Sequence, residues 1–398
     1  MITGVPTETQ AVTSTPDNIQ KLTIWLPPQF DPTTGSPASN LLRDRLKAFT
    51  TQHNGLQIDV RIKATTGAGG LLDALAATSA AAPSALPDLV ALSRDDLEAG
   101  ALKGLLYPLD NPTNNQSTTT ADDPDWYNFA RQMGLVQGTS YGMPFAGDAL
   151  VMLYRPAEVP DLPTSWNDLL LQKRVIAFPA ADSQSLLTLA LYESSGGQVT
   201  DSQRRPALTA DPLSAVLKMY ESGAKDGIFP SWLTTYDSDG QAWEAYKDKR
   251  ATWVITWVTQ YLAELPADTS MLPLLPVDSG SNPLTLATGW VWALGNPQPE
   301  RKALSLELMN WLVQSDFLSK WTLAAGYLPP RPTSLAGWPD QSLQTLLSQV
   351  VISAQLRPST DLMVSLGPVL KDATLQVLKG QKDAVQAAQA ASENLKGQ

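Results

Sequence analysis

The chain has 398 residues, a formal net charge of −11, 43% hydrophobic and 17% charged residues, one histidine and no cysteine. That length exceeds one ordinary hydrophobic core and predicts two domains of a globular protein. The missing cysteines exclude disulfides, thiolate metal sites and thiol nucleophiles, and the negative charge, with no basic stripe, argues against a nucleic-acid partner.

The opening stretch MITGVPTETQAVTSTPDN is rich in Thr, Ser, Pro, Asp and Asn. It has neither the basic nor the apolar region of a signal peptide, and residues 1–19 read as a flexible tether. KLTIWLP (21–27) alternates as a strand. NLLRDRLKAFTTQ places Leu42, Leu46 and Phe49 at helical spacing, and GLQIDVRIKA alternates again. His53, between these two, reads as an exposed loop residue. GGLLDALAATSAAA is a helix, PDLVALS a short apolar strand, and RDDLEAGALKG a helix closed by Gly104. This β-α-β-α-β succession predicts an α/β domain with a largely parallel sheet.

YGMPFAGDALVMLYRP (141–156) reads as two apolar stretches joined by PFAGD. TSWNDLL starts a helix with Thr164 or Ser165 as N-cap. RVIAFPA is a strand, SLLTLALYESSGG and DPLSAVLKMYESGAKDG are helices, and DGQAWEAYKDKRATWVITWV is a helix followed by the strand ATWVITW. The DSDG at 237–240 lacks the full calcium-loop pattern and reads as a helix-initiating turn. TGWVWALG (288–295) is a strand with Trp290 and Trp292 on one face. Those rings are either core or a ligand platform, with Gly289 allowing something to approach the backbone closely. Pro299 suits a first helical turn, and Trp311 and Trp321 belong to core-facing helical stripes. The tail is helical, with a break expected near Gly367–Pro368.

The only histidine leaves a Ser-His-Asp triad dependent on His53, without a GxSxG elbow to pair with it, and multi-histidine metal sites are impossible. No metal or other cofactor is expected. A paired-carboxylate glycoside hydrolase stays open, because 39 acidic residues leave many possible pairs, with Asp148 and Asp182 the nearest candidates. No apolar run reaches the ~18 residues of a membrane helix.

Several stretches together resemble the family 1 extracellular solute-binding proteins of bacterial ABC importers, the group that includes maltose-binding protein. They are PDLVALSRDDLEAGALKGLLYPLD (87–110), YGMPFAGDALVMLYR (141–155), PTSWNDLL (163–170), LYESSGG (191–197), KDKRATWVITW (247–257) and TGWVWALG with the following ERKALSLELMNWLVQSDFLSKWTLAAGYLPPRP. The chain departs from the family pattern at Arg155, where Asn is commoner, and at Lys249, where Gly is usual. The resemblance spans roughly residues 20–395. It implies a two-lobed periplasmic-binding-protein fold of type II, each lobe a mostly parallel sheet flanked by helices, with a ligand cleft between them. Lobe 1 would comprise 20–148 plus 293–331, and lobe 2 would comprise 149–292 plus 332–398.

Ligands of open α/β sheets bind beyond the carboxyl ends of strands, which nominates Trp25, Gln29, Ser93 and Arg94. The resemblance adds Phe145 and Asp148 at the first crossover, Trp257 in the second lobe, Trp290 and Trp292 at the second crossover, and Tyr327 and Arg331 at the third. Arg331 has the alternative of pairing with a lobe carboxylate. The implied function is a monomeric, non-catalytic receptor that closes around a sugar or oligosaccharide and delivers it to ABC permease subunits. A non-sugar cargo such as a polyamine or a glycerol phosphodiester is the alternative within the family. A polyamine site would be ringed with carboxylates and a phosphate site with basic residues. The implied location is extracytoplasmic, the membrane being reached only through an N-terminal lipid anchor absent from this sequence.

Overall fold

The structure, a computed structural model, describes residues 20–109, 123–295 and 299–396. The expected tether at 1–19 lies outside the described residues.

The first block runs β1 (Gln20–Leu26), α1 (Pro37–Gln52), β2 (Leu56–Ile62), α2 (Leu71–Ala81), β3 (Leu89–Ser93) and α3 (Arg94–Leu102). Helix α1 starts because the Ser36 side chain accepts from the Ser39 N–H, and it buries Leu42, Leu46 and Phe49 at the expected spacing. His53 is not an exposed loop residue. It ends α1 half-buried, with its ring 4.2 Å from that of Phe49 and Nε2 3.2 Å from Glu307.

Next come α4 (Asn128–Met133), the short hairpin β4 (Leu135–Val136) and β5 (Thr139–Ser140), and β6 (Gly142–Tyr154). The second block holds α5 (Trp166–Leu171), β7 (Ile176–Ala177), α6 (Leu186–Ser194), α7 (Ala210–Lys225), α8 (Asp239–Lys247), β8 (Trp253–Trp257), α9 (Val258–Glu264), β9 (Ser270–Pro273) and β10 (Thr285–Leu294). The chain then continues through α10 (Pro299–Leu312), α11 (Ser315–Ala325), α12 (Pro332–Ala336), α13 (Gln341–Ser353), β11 (Ala354–Leu356), α14 (Thr360–Leu378) and α15 (Ala384–Lys396). Among the described residues no helix is long and apolar enough to cross a membrane.

One path of strands, β2-β1-β3-β10-β6-β8-β7, organises the molecule, with β11 beside β10 and β9 beside β6. The parallel pairs lie on the flanks: β1 with β2 and β3, β7 with β8, and β10 with β11. Every antiparallel pair on the path involves β6 or β10. These two strands are the joints. Strand β6 pairs with β10 over Gly142–Ala149, then with β8 over Leu150–Tyr154. Strand β10 pairs with β11 over Thr285–Ala287 and with β3 over Trp290–Leu294.

Sequence breakers were poor guides at two places. Within YGMPFAGDALVMLYRP, Gly142–Tyr154 is one 13-residue strand and not two stretches, because Pro144 and Gly147 fall where β6 runs against β10. Helix α14 passes through Gly367–Pro368 without ending. Gly367 serves contact, since a Cβ there would lie 2.6 Å from the Ser183 carbonyl oxygen. The helix stops at Lys379, next to Gly380 at φ +64°.

The two departures from the family pattern have structural readings. Arg155 is buried beneath β6, donating to the Tyr246 carbonyl at 2.5 Å and the Ala251 carbonyl at 3.3 Å, and pairing with Asp268 at 3.2 Å. Lys249 sits at φ +60°, the left-handed region where glycine is at ease. Of the two helix-stripe tryptophans, Trp321 is buried, while Trp311 is half-buried beneath the Arg45 guanidinium, 3.7 Å from its ring.

Candidate functional site

Residues on β3, α3, β6, α6, α8, β8, α9 and β10, and on the segments before α6 and after α11 and β11, line one cavity of about 430 Å³, between the half of the sheet carrying β1–β3 and the half carrying β7–β8. Strand β3 ends at Ser93, whose hydroxyl accepts from the Asp96 N–H at 3.2 Å and starts α3; Ser93 and Asp95 both line the cavity. Strand β6 contributes Asp148. Its carboxylate accepts from the Ala149 N–H at 2.9 Å, the Thr259 N–H at 3.1 Å and the Thr259 hydroxyl at 2.6 Å. Strand β8 ends at Trp257, whose Nε1 donates to Asp239 at 3.1 Å, at the start of α8. Asp182 holds the turn into α6, accepting from the Gln184 N–H at 3.0 Å and the Leu186 N–H at 3.2 Å. Strand β10 supplies Thr288, Gly289 and Trp290. Tyr327 follows the Gly326 cap of α11, its ring stacked 6.2 Å from Trp321. Arg357, just past β11, is ion-paired with Asp95 and donates to the Gln184 side chain at 3.1 Å.

The lining therefore carries four carboxylates, Asp95, Asp148, Asp182 and Asp239, and one cation, Arg357. The cation is committed to Asp95 and Gln184. Asp148, Asp182 and Asp239 have no basic partner among the described residues. Burial pushes Asp148 up to about 7, against the pull of its Thr259 and Ala149 hydrogen bonds. Burial and the negative charge of Asp182 raise Asp239 to about 6. Burial, aided by the Arg94 charge, lowers Arg357 to about 10, and burial with the Asp148 charge raises Tyr327 to about 12. No group of three or more His, Asp or Glu among the described residues is placed to hold a metal ion.

Five of the residues nominated from sequence meet in this cavity: Ser93, Asp148, Trp257, Trp290 and Tyr327. The other six lie elsewhere. Trp25 and Phe145 are each 2% exposed and Trp292 is 3% exposed, all in the core, so none offers an open ring face. Phe145 stacks on Trp292 at 4.6 Å, and both stand one layer behind the cavity, with Phe30 linking Phe145 to Trp290 and Tyr327. Gln29 is exposed and accepts from the Thr65 hydroxyl at 3.3 Å. Arg94 is buried within α3 near Glu98. Arg331 takes its alternative, pairing with Asp125 at 2.8 Å and Asp123 at 3.4 Å over the Trp126 ring.

Gly289 does need the room that its sequence implied, but for the neighbouring strand. A Cβ there would sit 2.2 Å from the Ala146 carbonyl oxygen and 2.9 Å from Met133 Sδ. Sequence reasoning missed Asp95, Gln184, Leu186, Thr259, Thr288 and Arg357, and weighed Asp182 only as half of a hydrolytic pair. It read DSDG as a turn. Ser238 does form a capping box with Gln241, yet Asp239 of the same turn also faces the cavity.

A search of curated protein sequences returned no match. Among solved structures, the sugar-binding protein MalE from Xanthomonas citri is similar with a TM-score of 0.76 at 17% identity, covering 95% of this chain and 98% of its own. The maltose complex of MalE from Listeria monocytogenes also gives 0.76, at 13% identity over 95% and 97%. Maltose-bound MalE3 of T. maritima gives 0.68 at 18% over 95% and 99%. At such identities the likeness establishes the two-lobed periplasmic-binding-protein fold. The sequence profile described as "Bacterial extracellular solute-binding protein" matches residues 44–345, and the chain belongs to that family.

Proposed function

We propose that the protein is an extracytoplasmic receptor of an ABC importer that encloses a carbohydrate in this cavity and hands it to membrane permease subunits, without altering it. One observation carries the carbohydrate reading. Trp257, Trp290 and Tyr327, all partly exposed, line a cavity that also presents Ser93, Gln184, Thr259, Thr288 and carboxylates. A sugar ring has an apolar C–H face that stacks on aromatic rings and hydroxyl edges that require such polar partners. The structural neighbours described as sugar-binding or maltose-bound agree with it. The two lobes we propose are 20–148 with 293–331, and 149–292 with 332–398. The partner changes in β6 at Ala149–Leu150 and in β10 between Ala287 and Trp290 support hinges near the first boundary and a few residues before the second. Closure would be driven by the ligand's greater affinity for the closed state. Tethering by an N-terminal lipid anchor, and action as a monomer, belong to the same proposal.

A hydrolytic reading draws on the two raised carboxyls, Asp148 and Asp239, in one cavity. Against it, both oxygens of Asp148 already accept protein hydrogen bonds, and Asp239 is held by the Trp257 indole. Thermal-shift screening with mono-, di- and oligosaccharides, polyamines and phosphodiesters, followed by chromatography of each hit, tests the proposal. A sugar that raises the melting temperature and is recovered intact supports it. A cleaved sugar, or stabilisation only by a polyamine or phosphodiester, overturns it.

A further inference from the structure

The carbohydrate reading leaves a charge imbalance in the cavity unexplained. Asp182 and Asp239 line it from the starts of α6 and α8, and neither has a basic partner among the described residues. Each is pinned by protein donors, Asp182 by two backbone N–H groups and Asp239 by the Trp257 indole. They therefore cannot turn away to bulk water without losing those bonds. The two feel each other, since the charge on Asp182 raises the proton affinity of Asp239. Trp257 ties an aromatic wall to one of these carboxylates, and such a pairing suits a group that is both cationic and attached to a stacking ring. Neutral hydroxyls would relieve neither the repulsion nor the missing counter-charge.

We infer, resting on the carbohydrate reading, that the solute is an amino sugar whose protonated amine sits between Asp182 and Asp239 while its ring stacks on Trp257. A linear polyamine would present no ring to stack on Trp257, and its remaining ammonium groups would meet Arg357, whose ion pair with Asp95 already uses that carboxylate. The Gln184 side chain, already bonded to Arg357, and the Thr288 and Ser93 hydroxyls suit the neutral edge of a second ring. A phosphorylated solute is disfavoured by the three carboxylates that lack basic partners.

The test is isothermal titration calorimetry of the whole chain near neutral pH and at low salt. The probes are the glucosamine disaccharide, its N-acetylated counterpart, maltose and spermidine. The glucosamine disaccharide is expected to bind about tenfold or more tighter than the two neutral sugars, as charge-assisted bonds exceed neutral ones. That advantage is expected to fall with added salt and to disappear in Asp239→Asn, where Asn keeps an acceptor for the Trp257 indole, and in Asp182→Asn, where Asn keeps one of the two acceptor oxygens. Neutral sugars binding as tightly as the amine would overturn the inference and leave the carbohydrate reading standing. Binding of spermidine alone, or of none of the four, would overturn both. An amine preference that survives both variants would overturn the placement between Asp182 and Asp239.

Discussion

Asp148 is the best place to test the electrostatics of the cavity, and Asp148→Asn is the sharpest perturbation. The carboxylate receives two backbone N–H groups on Oδ1 and the Thr259 hydroxyl on Oδ2. Asparagine keeps this pattern, because its carbonyl oxygen takes the two N–H groups and the Thr259 hydroxyl rotates to accept from the amide. The substitution thus removes a charge with little change in bonding. In the folded state Asp148 holds its proton up to about pH 7, whereas the ordinary carboxyl releases it at 3.8. Folding takes up a proton between those values, so this group's contribution makes stability fall as pH rises from about 4 to 7. Above pH 7 the ionised, buried carboxylate costs up to ~4 kcal/mol, at ~1.36 kcal/mol per unit, with partial solvation reducing it. Asp148→Asn is therefore expected to be more stable than the parent at pH 8, by roughly 1–4 kcal/mol or a few degrees in melting temperature, and nearly equal to it at pH 4.5. Thermal and urea unfolding of both proteins across that range measures this. A variant that is less stable at pH 8, or a stability difference independent of pH, would refute the assignment of a raised proton affinity to Asp148.

Lys249→Gly is expected to raise stability by about 1 kcal/mol, read from urea midpoints, because glycine relieves the left-handed backbone at φ +60° at some cost in unfolded-state entropy. Gly289→Ala should lower stability by about 2–4 kcal/mol, since the new methyl group meets a strand carbonyl 2.2 Å away and the joint must spread. Trp290→Ala is expected to weaken solute binding tenfold or more while circular dichroism stays unchanged. Trp292→Phe, in the buried layer behind it, should lower the melting temperature and leave affinity within about twofold. Equal losses of affinity in both tryptophan variants would contradict the division between cavity wall and core.

What the sequence made legible follows from how local each signal is. Leu42, Leu46 and Phe49 announce α1 because the helical period is written in adjacent turns. The end of β3 pointed to Ser93, because strand ends are where such folds place ligands, and the family resemblance pointed to Trp257 and Trp290. The misread places are those where tertiary partners override local preference. Pro144 and Gly147 look like breakers until β10 lies alongside, and Pro368 is carried within a helix whose Gly367 packs against the Ser183–Gln184 turn. Asp182 and Asp239 were hidden for a different reason. Each looks like a residue that holds a helix start, which each also is, and their approach across 57 positions of chain leaves no local trace. Arg357 enters from a segment past β11, so its meeting with Asp95 depends wholly on the closed chain path.

The two joint strands also carry the cavity floor, Asp148 on β6 and Thr288 to Trp290 on β10. A fulcrum is the part of a clamp that hardly moves. An arriving solute would thus settle first on surfaces already in their final position, and the jaws bearing Trp257, Asp239 and Asp182 would arrive afterwards. In kinetic terms, substitutions on the floor would act mainly on capture, and substitutions on the jaws on retention. Trp290 and Trp257, alike in chemistry, would then be told apart by stopped-flow fluorescence, one through its association rate and the other through its dissociation rate.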